Sequence, residues 1–320
     1  MRERREASGR RDRRKPVSTG KRIRLTDRDR RWLRLLADHG PLPTSFLLEF
    51  AKGLGVSEKR ARERLTDLFN EEETAHGGAY LTRPPQQFHT LDSRYNQLVY
   101  DLSEAGKAAL KETDDLPPSP SLSGPWLHRF MTSAITASIR LAAERRADLT
   151  YIPEQAILRR ANATIDVSLE WPEANGRALQ KVTLRPDAIF GLEYHTKKGS
   201  RFRFFALEAD RATEPLTSSN FNRKSAVKQF GLYRAYIETG VYRQHLRLTS
   251  PMIVLNVSSD PKRTDRLLAL AEAKLGGVNY QLFQSWEAFA PPFRPPEPNL
   301  DLLEGNWQRA GFSSLHLDHP

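Results

Sequence analysis

The sequence predicts a two-domain chain of the α+β or α/β class, in which a small, mainly helical domain precedes a larger domain with a mixed sheet. The chain has 320 residues, about twice the length of an average domain. A segment rich in Pro, Ser and Gly at residues 113–125 separates two patterned regions and predicts a linker. The first region has mainly helical periodicity, whereas the second alternates apolar strands with amphipathic helices.

Positive charge is concentrated at the N-terminus. The chain carries 50 basic and 39 acidic residues, and residues 1–31 alone hold 14 of the basic and 5 of the acidic ones. We expect residues 1–21 to form a disordered basic tail. Such a tail favours a polyanionic partner, and double-stranded DNA is the natural candidate. A solvated tail with no specific partner is the alternative.

The composition argues against several classes of protein. The absence of Cys excludes a disulfide scaffold, a zinc site built on Cys and a thiol nucleophile. No run of 18 apolar residues occurs, and the N-terminus lacks the apolar stretch of a secretory signal. We therefore expect no membrane partner and a cytoplasmic location, which fits a bacterial protein.

The first domain, residues 22–112, begins with two helices. Thr26 and Asp29 have the spacing of a capping box, and the apolar residues that follow predict a helix that ends at Gly40. A short second helix is expected from Thr44 to about Lys52.

A third helix and a hairpin complete the first domain. Ser57 predicts the start of a helix that runs to Asn70, and residues 79–82 and 95–102 have the pattern of strands. A short helix is expected to begin at Ser103. This order of elements is that of a winged helix-turn-helix domain, in which the third helix enters the major groove of DNA.

Basic residues on the third helix and beside the expected wing are the DNA-binding candidates. Arg side chains can hold phosphates or pair with guanine, and a helix of this width fits the major groove. A solvated helix face held together by pairs such as Lys59–Glu63 is the alternative, and winged helices also bind proteins. The candidates are Lys59, Arg60, Arg62, Arg64, Thr66, Arg83 and Arg94.

The second domain, residues 126–287, alternates helices and strands. Strands are expected at residues 149–152, 164–169, 182–190, 202–208, 252–257 and 280–283, with a hairpin loop at 193–200, and helices at 126–146, 220–238 and 261–275. Residues 288–320 begin with five prolines before Leu300 and predict a Pro-rich extension that wraps the surface.

Three acidic residues lie at defined points of two neighbouring strands of the second domain. Asp187 follows a proline in the first strand, and Glu208 and Asp210, two residues apart, point to one face at the end of the next. Converging carboxylates are the ligands that Mg²⁺ or Mn²⁺ prefers, and Lys224 or Lys228 on the following helix can neutralise a phosphate. An ordinary set of turn and helix-pair carboxylates is the alternative.

The order Pro186-Asp187, then Glu208-x-Asp210, then a helix with Lys228 and Tyr233, resembles the core of the PD-(D/E)XK nucleases. With the winged helix before it, roughly residues 22–290 resemble the replication-relaxation family of bacterial plasmid and mobile-element proteins. That family includes the MOBC class of plasmid mobilisation relaxases, which nick DNA with a divalent metal ion. The resemblance therefore implies a restriction-endonuclease-like mixed-sheet domain, residues 126–287, behind the winged helix.

Site roles follow from the resemblance. Asp187, Glu208 and Asp210 would be the metal ligands, with Mg²⁺ or Mn²⁺ as cofactor. The usual motif has Lys where this chain has Asp210, so Lys228 or Lys224 would supply that charge from the next helix. His128 and Tyr233 would also line the catalytic site. A helix-face histidine and a core tyrosine are the alternative readings of these last two residues.

Two functions are compatible with the sequence. The first is an enzyme of plasmid mobilisation or replication that binds double-stranded DNA and nicks one strand with a metal ion. The second is a non-catalytic DNA-binding regulator or accessory factor with a degenerate nuclease-like domain that serves for dimerisation. Further partners would be other mobilisation or replication proteins, and a homodimer fits either function.

Overall fold

Two units make up the chain: Met1–Pro120 with Pro292–Pro298, and Ser121–Pro291 with Asn299–Pro320. The computed structural model describes residues 13–55, 57–72, 76–89, 93–113, 124–172, 179–218, 224–290 and 293–320. Together the units form a mixed α+β protein with a large mixed sheet and several helices. The expected linker at 113–125 lies mostly outside the described residues.

The first unit combines four helices with three short strands in the part that is described. Its elements are α1 (Asp27–His39), β1 (Leu42–Pro43), α2 (Thr44–Glu49), α3 (Glu58–Asn70), β2 (Leu81–Thr82), β3 (Val99–Leu102) and α4 (Glu104–Lys111). The strands form an antiparallel sheet in the order β1-β3-β2. Two short 3-10 helices, Pro85–Phe88 and Ser93–Tyr95, lie between β2 and β3.

Helix α1 begins and ends as its sequence predicts. The capping box is present, since the Thr26 side chain accepts from the Asp29 amide and the Asp29 side chain accepts from the Thr26 amide. Gly40 ends the helix at a φ of 92°, a conformation that favours glycine. Trp32 is fully buried, and its indole N–H donates to the Leu47 carbonyl at 2.7 Å. Helix α1 thus anchors α2 through the core.

Three elements of the first unit are shorter than predicted. Strand β2 starts at Leu81 rather than at residue 79. Helix α2 stops at Glu49 rather than at Lys52, and Gly53 has a φ of 82° in the turn that follows. Strand β3 begins at Val99 rather than at residue 95, because pairing with β1 starts there and Tyr95, 72% exposed, belongs to a 3-10 turn.

Part of the expected disordered tail lies against the first unit. The Glu71 carboxylate accepts from the Ser18 hydroxyl at 2.7 Å and from the Thr19 amide at 2.9 Å. The Arg13 guanidinium donates to the Arg94 carbonyl at 2.7 Å. Residues 13–20 are thus held by specific hydrogen bonds, which charge composition alone does not reveal. Residues 1–12 of the expected tail lie outside the described residues.

The second unit is built on a seven-stranded sheet. Its helices are α5 (Trp126–Glu144), α6 (Glu154–Ala161), α7 (Ala226–Glu238), α8 (Val241–His245), α9 (Pro261–Leu275) and α10 (Asp301–Glu304). Its strands are β4 (Leu149–Ile152), β5 (Val167–Pro172), β6 (Leu179–Leu184), β7 (Ala188–Thr196), β8 (Gly199–Asp210), β9 (Met252–Ser258), β10 (Gln281–Ser285), β11 (Trp307–Arg309) and β12 (Phe312–Leu315).

The sheet has the strand order β12-β11-β10-β9-β8-β7-β4. The pairs β8–β9 and β9–β10 are parallel, and the other neighbours are antiparallel. Strands β5 and β6 form a separate antiparallel pair. Because β8 and β9 are parallel, their carboxyl ends meet at one edge, and the helices that precede and follow β9 approach that edge.

Helices cover both faces of the sheet. Helix α5 packs against β4, β7 and β8. Phe204 and Ala206 of β8 belong to a core cluster with Leu232 and Tyr236 of α7. Glu208 continues this alternation, so its side chain leaves the strand on the α7 face.

The expected strand 182–190 is broken in the middle. Strand β6 ends at Leu184 and pairs with β5, whereas β7 starts at Ala188 and joins the large sheet. Pro186 lies between them, and proline has no N–H to donate to a ladder. The break matters for the site because Asp187 lies at it, directly before β7 and hydrogen-bonded to β8. The expected loop at 193–200 is a tight turn, since β7 extends to Thr196 and β8 starts at Gly199.

The C-terminal segment adds structure that its prolines do not predict. Strands β11 and β12 extend the large sheet, and Leu302, Leu303 and Trp307 are fully buried. Only Pro292–Pro298 groups with the first unit. The expected helix 220–238 begins at Ala226 in the structure, and residues 219–223 lie outside the described chain. None of the helices in the described part is both long and apolar enough to span a membrane.

Candidate functional site

A small pocket opens in the second unit at the carboxyl end of β8. The starts of α5, α7 and α9 approach it together with the start of β7. Its charged lining includes His128, Asp187, Glu208, Asp210, Lys224 and Arg263. The pocket thus brings together all three carboxylates expected from the sequence, with cationic groups beside them.

Asp187 is held in place by hydrogen bonds on both carboxylate oxygens. Oδ2 accepts from the Ala209 amide of β8 at 2.8 Å, and Oδ1 is 2.9 Å from His128 Nε2. The Asp187 amide donates to the Leu207 carbonyl at 3.0 Å. The residue after Pro186 is therefore fixed against β8, with its side chain only 9% exposed.

His128 lies in the first turn of α5 and forms an ion pair with Asp187 when it is protonated. Burial lowers the pKa of His128, but the hydrogen bond and the negative charge of Asp187 outweigh that effect and raise it above the usual value of 6.5. The charged imidazolium is thus favoured beside Asp187. His128 therefore belongs to the pocket and is more than a solvated residue on a helix face.

Glu208 is held by two side chains of α7. Its Oε1 accepts from the Tyr233 hydroxyl at 2.5 Å and from Gln229 Nε2 at 2.9 Å. Burial and the negative charge of Asp187 raise the pKa of Glu208 well above its usual value, although Tyr233, Lys224 and Gln229 act against that shift. The Oε2 atom makes no hydrogen bond to any residue that the structure describes. One oxygen is thus positioned by α7, and the other is available to the pocket.

Tyr233 is fully buried and donates its proton to Glu208. Burial and then the charge of Glu208 raise the pKa of the Tyr233 hydroxyl well above its usual value. The hydroxyl is therefore a poor candidate for a phenolate nucleophile. It is both a core aromatic residue and the group that orients Glu208.

The two lysines expected at the site differ in position, since Lys224 lines the pocket with the acids and Lys228 lines a neighbouring one. Lys224 lines the pocket with Nζ 3.6 Å from Glu214 Oε1, and its side chain is 64% exposed. Partial burial lowers the pKa of Lys224, but Glu208, Glu214 and Asp187 outweigh that effect and raise it. Lys228 lines a neighbouring pocket that shares Asp187 and Lys224. Lys224 is thus the lysine nearer to the carboxylates.

Asp210 differs in its contacts from the other two carboxylates. Its Oδ2 accepts from Arg263 Nε of α9 at 2.7 Å, and its Oδ1 accepts from the Ala212 amide at 2.6 Å. In the described part of the chain, no three residues among His, Cys, Asp and Glu lie close enough together to hold a metal ion. Asp210 shares the sheet face of Glu208 as predicted, but it faces α9 whereas Glu208 faces α7.

The DNA-binding candidates on α3 divide by their contacts. Arg64 bonds to the fully buried Asp29, with Nη2 2.7 Å from Oδ2, and its own side chain is 19% exposed. Arg62 pairs with Glu58 on the surface at 2.8 Å, and the Thr66 hydroxyl donates to the Arg62 carbonyl. Arg64 is therefore part of the interior of the unit, although the spacing of α3 placed it on the DNA-binding face.

Lys59 and Arg60 are exposed on α3, and their side chains form no ion pair with the residues that the structure describes. Arg83 lies 3.8 Å above the Phe69 ring and donates to the Tyr100 hydroxyl at 3.0 Å. Arg94 is exposed and stacks on the Tyr95 ring. Of the candidates beside the expected wing, Arg83 is thus a packing residue and Arg94 is accessible.

Sequence reasoning missed several residues of the pocket, and the side chains of two of them contact the acids directly. Gln229 precedes Tyr233 by one turn of α7, so helical spacing from Tyr233 could have indicated it. Arg263 comes from α9, 53 residues after Asp210. Arg263 reaches Asp210 only because β8 and β9 pair in parallel, with Asp210 opposite Ser258. No local sequence motif predicts that pairing.

The fold and the pocket define a two-unit α+β protein with a polar, carboxylate-lined site at the end of a mixed sheet. The family model described as Replication-relaxation matches residues 33–249, more than half of the chain. The chain therefore belongs to the replication-relaxation family, which confirms the resemblance and suggests a role in the replication or mobilisation of a plasmid or mobile element. No curated protein and no solved structure matches the chain.

Proposed function

We propose that this protein binds DNA through its first unit and nicks a strand in its second unit, with a divalent metal ion, during plasmid mobilisation or replication in the bacterial cytoplasm. One observation carries the proposal. Asp187 and Glu208, from neighbouring strands, line one pocket with Lys224, and the Asp187 carboxylate is tied to the backbone of β8. Paired acids can hold a metal ion, and a nearby lysine can stabilise negative charge on the phosphate, so together they can support phosphodiester cleavage.

The topology around these acids supports a nuclease-like core. Helix α5 precedes the antiparallel strands β4, β7 and β8, and α7 then leads into β9, which is parallel to β8. With α6 and the separate pair β5–β6 inserted between β4 and β7, and α8 between α7 and β9, these elements run in the order helix, three strands, helix, strand. Asp187 directly precedes the second of these strands and Glu208 lies near the end of the third.

The first unit supports the DNA-binding part of the proposal. The unit contains the helices α1 to α3 and an antiparallel sheet, and these elements follow one another in the order expected of a winged helix-turn-helix domain. Lys59 and Arg60 project from the exposed face of α3, where phosphates of a duplex can reach them. Arg94, near the expected wing, is a third accessible cation.

The donor set of the pocket fits one hard divalent cation held by Asp187 and Glu208, with Mg²⁺ or Mn²⁺ as the candidates. The raised pKa of Glu208 supports this fit, because burial beside Asp187 disfavours its charge and a cation would relieve that effect. Asp210 is not included, because it is already paired with Arg263, and a guanidinium keeps its positive charge. Such an ion, when bound, would polarise the phosphodiester and lower the pKa of a water molecule.

The protein's own groups hold and balance this centre. Tyr233 and Gln229 fix the orientation of Glu208 from α7. His128 donates to Asp187 and offsets part of its charge. Lys224, exposed at the pocket mouth, can neutralise negative charge on the phosphate that enters.

A plasmid-nicking assay tests the proposal. Supercoiled DNA is incubated with the protein and Mg²⁺ or Mn²⁺, beside an EDTA control and the Glu208→Gln variant. We expect metal-dependent relaxation that Glu208→Gln reduces by about 100-fold or more, since it removes a group on which the centre depends. Glu272→Gln, an exposed change on α9, is the matched control and should cut like wild type. Equal cutting by Glu208→Gln would refute the site.

A non-catalytic DNA-binding regulator is the second candidate, and one observation favours it. Asp210 is bound by Arg263, and no group of three potential metal ligands is assembled in the described residues. This candidate predicts DNA binding with no metal-dependent cutting by wild type, and a self-association of the second unit that light scattering would detect. Metal-dependent nicking by wild type, lost in Glu208→Gln, would exclude it.

A further inference from the structure

We propose that Asp210 is a positioning residue that holds Arg263 in the pocket, where the Arg263 guanidinium binds a phosphate of the DNA strand. The inference rests on the proposed function, because that phosphate belongs to the strand that reaches Asp187 and Glu208. The inference also accounts for Asp210, which stands where the PD-(D/E)XK motif usually has a lysine. Arg263 of α9 would supply the positive charge of that lysine.

The contact between the two residues is direct and largely buried. Arg263 Nε donates to Asp210 Oδ2 at 2.7 Å, and the side chains are 9% and 16% exposed, respectively. Asp210 Oδ1 accepts from the Ala212 amide at 2.6 Å. Each oxygen of Asp210 therefore already has a donor, and the carboxylate is oriented from both sides. Because the Arg263 guanidinium keeps its positive charge, this carboxylate suits the positioning of that arginine better than the binding of an ion.

The fold explains why Arg263 reaches this place. Strands β8 and β9 are parallel, with Asp210 opposite Ser258. The chain turns after β9, and Asp260 caps α9 by accepting from the Lys262 amide. Arg263 lies in the first turn of that helix, so it returns to the carboxyl end of β8. A residue distant in sequence thus occupies the end of the strand that carries the acids.

The guanidinium has donors to spare. Arg has five N–H donors in a planar fork, and only the Nε donor of Arg263 is used by Asp210. Its terminal nitrogens make no hydrogen bond to the residues that the structure describes. Both Arg263 and Arg211 line the pocket, and Arg211 Nε is buried without a hydrogen-bond partner in the described structure. An oriented guanidinium with unused donors matches the geometry of a phosphate oxygen pair.

The acids of the proposed cation site and the two arginines come from different elements around one pocket. Asp187 and Glu208 are held by β8 and α7, whereas Arg263 comes from α9 and Arg211 directly follows β8. A strand whose phosphate reaches a cation at the acids also needs positive charge beside that phosphate, and the arginines can supply it.

The first experiment measures DNA affinity without metal. Fluorescence anisotropy of a labelled duplex in EDTA, repeated over a range of NaCl concentrations, gives the salt slope of binding. Arg263→Gln should lower that slope by about 0.9, the value of one phosphate contact. Arg263→Lys should keep the slope because it keeps the charge. Arg266→Gln, exposed on the same helix, is the matched control and should behave like wild type.

The second experiment separates positioning from metal binding. Nicking rates are measured against plasmid concentration and against Mn²⁺ concentration for Asp210→Asn, Arg263→Gln and the double variant. Each single change should raise KM for DNA by about 10-fold and leave the Mn²⁺ midpoint unchanged, and the double variant should be no worse than either single one. Circular dichroism checks that each variant is folded, and Asp210→Asn carries the test if Arg263→Gln is not.

The outcomes distinguish the inference from the proposed function. A shifted Mn²⁺ midpoint in Asp210→Asn would make Asp210 a metal ligand and overturn the inference. Wild-type binding and cutting by Arg263→Gln would overturn it too and leave the proposed nicking intact. If wild type binds DNA without cutting it, the salt slope of Arg263→Gln alone tests the inference, and a slope equal to that of wild type would overturn it. If wild type neither binds nor cuts DNA, the proposed function and the inference fall together.

Discussion

Replacing Arg64 with Ala distinguishes a residue of the interior from a residue of a DNA-binding face. Arg64 donates to both oxygens of Asp29, which is fully buried, and to the Arg24 carbonyl at 2.6 Å. The change would leave Asp29 charged and without its cation in the core. Removing one partner of a buried pair costs about 3–5 kcal/mol. The 19% exposure of the Arg64 side chain favours the lower end, about 3 kcal/mol.

Thermal melting measures that cost. In a domain of this size, each kcal/mol lowers the melting temperature by roughly 4–8 °C, so Arg64→Ala should melt about 12 °C or more below wild type. Arg62→Ala is the matched control on the same helix, since the Arg62–Glu58 pair is 50% and 66% exposed and is worth about 0.5 kcal/mol. Hydrogen exchange would assign the loss to α1 and α3.

Two results would refute this reasoning. If Arg64→Ala melted within a few degrees of Arg62→Ala, the buried pair would not stabilise the unit. If Arg64→Ala lowered the salt slope of DNA binding at a temperature where it is folded, Arg64 would contact phosphate after all. We expect neither, because the described donors of Arg64 are directed towards Asp29 and the Arg24 carbonyl.

Three further predictions follow from the described contacts. Burial raises the pKa of Glu71, but hydrogen bonds from the N-terminal segment outweigh burial and lower that pKa. The stabilisation by Glu71 is therefore complete above pH 4.5 and is lost as the pH falls through the lowered value. The difference in melting temperature between wild type and Glu71→Gln should shrink at acid pH, and Glu72→Gln, an exposed control, should show no such difference. Lys59→Ala and Arg60→Ala should each reduce the salt slope of duplex binding by about 0.9, and an unchanged slope would remove α3 from the interface. Tyr233→Phe should slow nicking by about 10–100-fold with little change in DNA affinity, and an unaltered rate would mean that Glu208 does not depend on its hydroxyl.

Local sequence signals predicted most helices of the first unit and the neighbourhood of the site. Thr26 and Asp29 predicted the start of α1, because a capping box depends only on residues three apart. The alternation of β8 predicted that Glu208 and Asp210 share a face, since side chains alternate on a strand. The family resemblance singled out His128, which the structure places 2.9 Å from Asp187.

What the sequence could not predict depends on long-range pairing. The spacing of α3 put Arg64 on the polar face, but its ion pair with Asp29 bridges 35 residues. Pro186 was read within a strand, although the two flanking strands join different sheets. Arg263 reaches Asp210 only because β9 pairs with β8 in parallel. Such contacts are set by tertiary packing and leave no local periodicity to detect.

Binding of Mn²⁺ shows whether Asp187 and Glu208 form a divalent-cation centre. Electron paramagnetic resonance of free Mn²⁺, titrated with the full chain, measures that binding without any DNA substrate. We predict that wild type and Glu272→Gln bind the ion and that Glu208→Gln loses most of the affinity. Equal binding by Glu208→Gln, or no binding by wild type, would contradict the account.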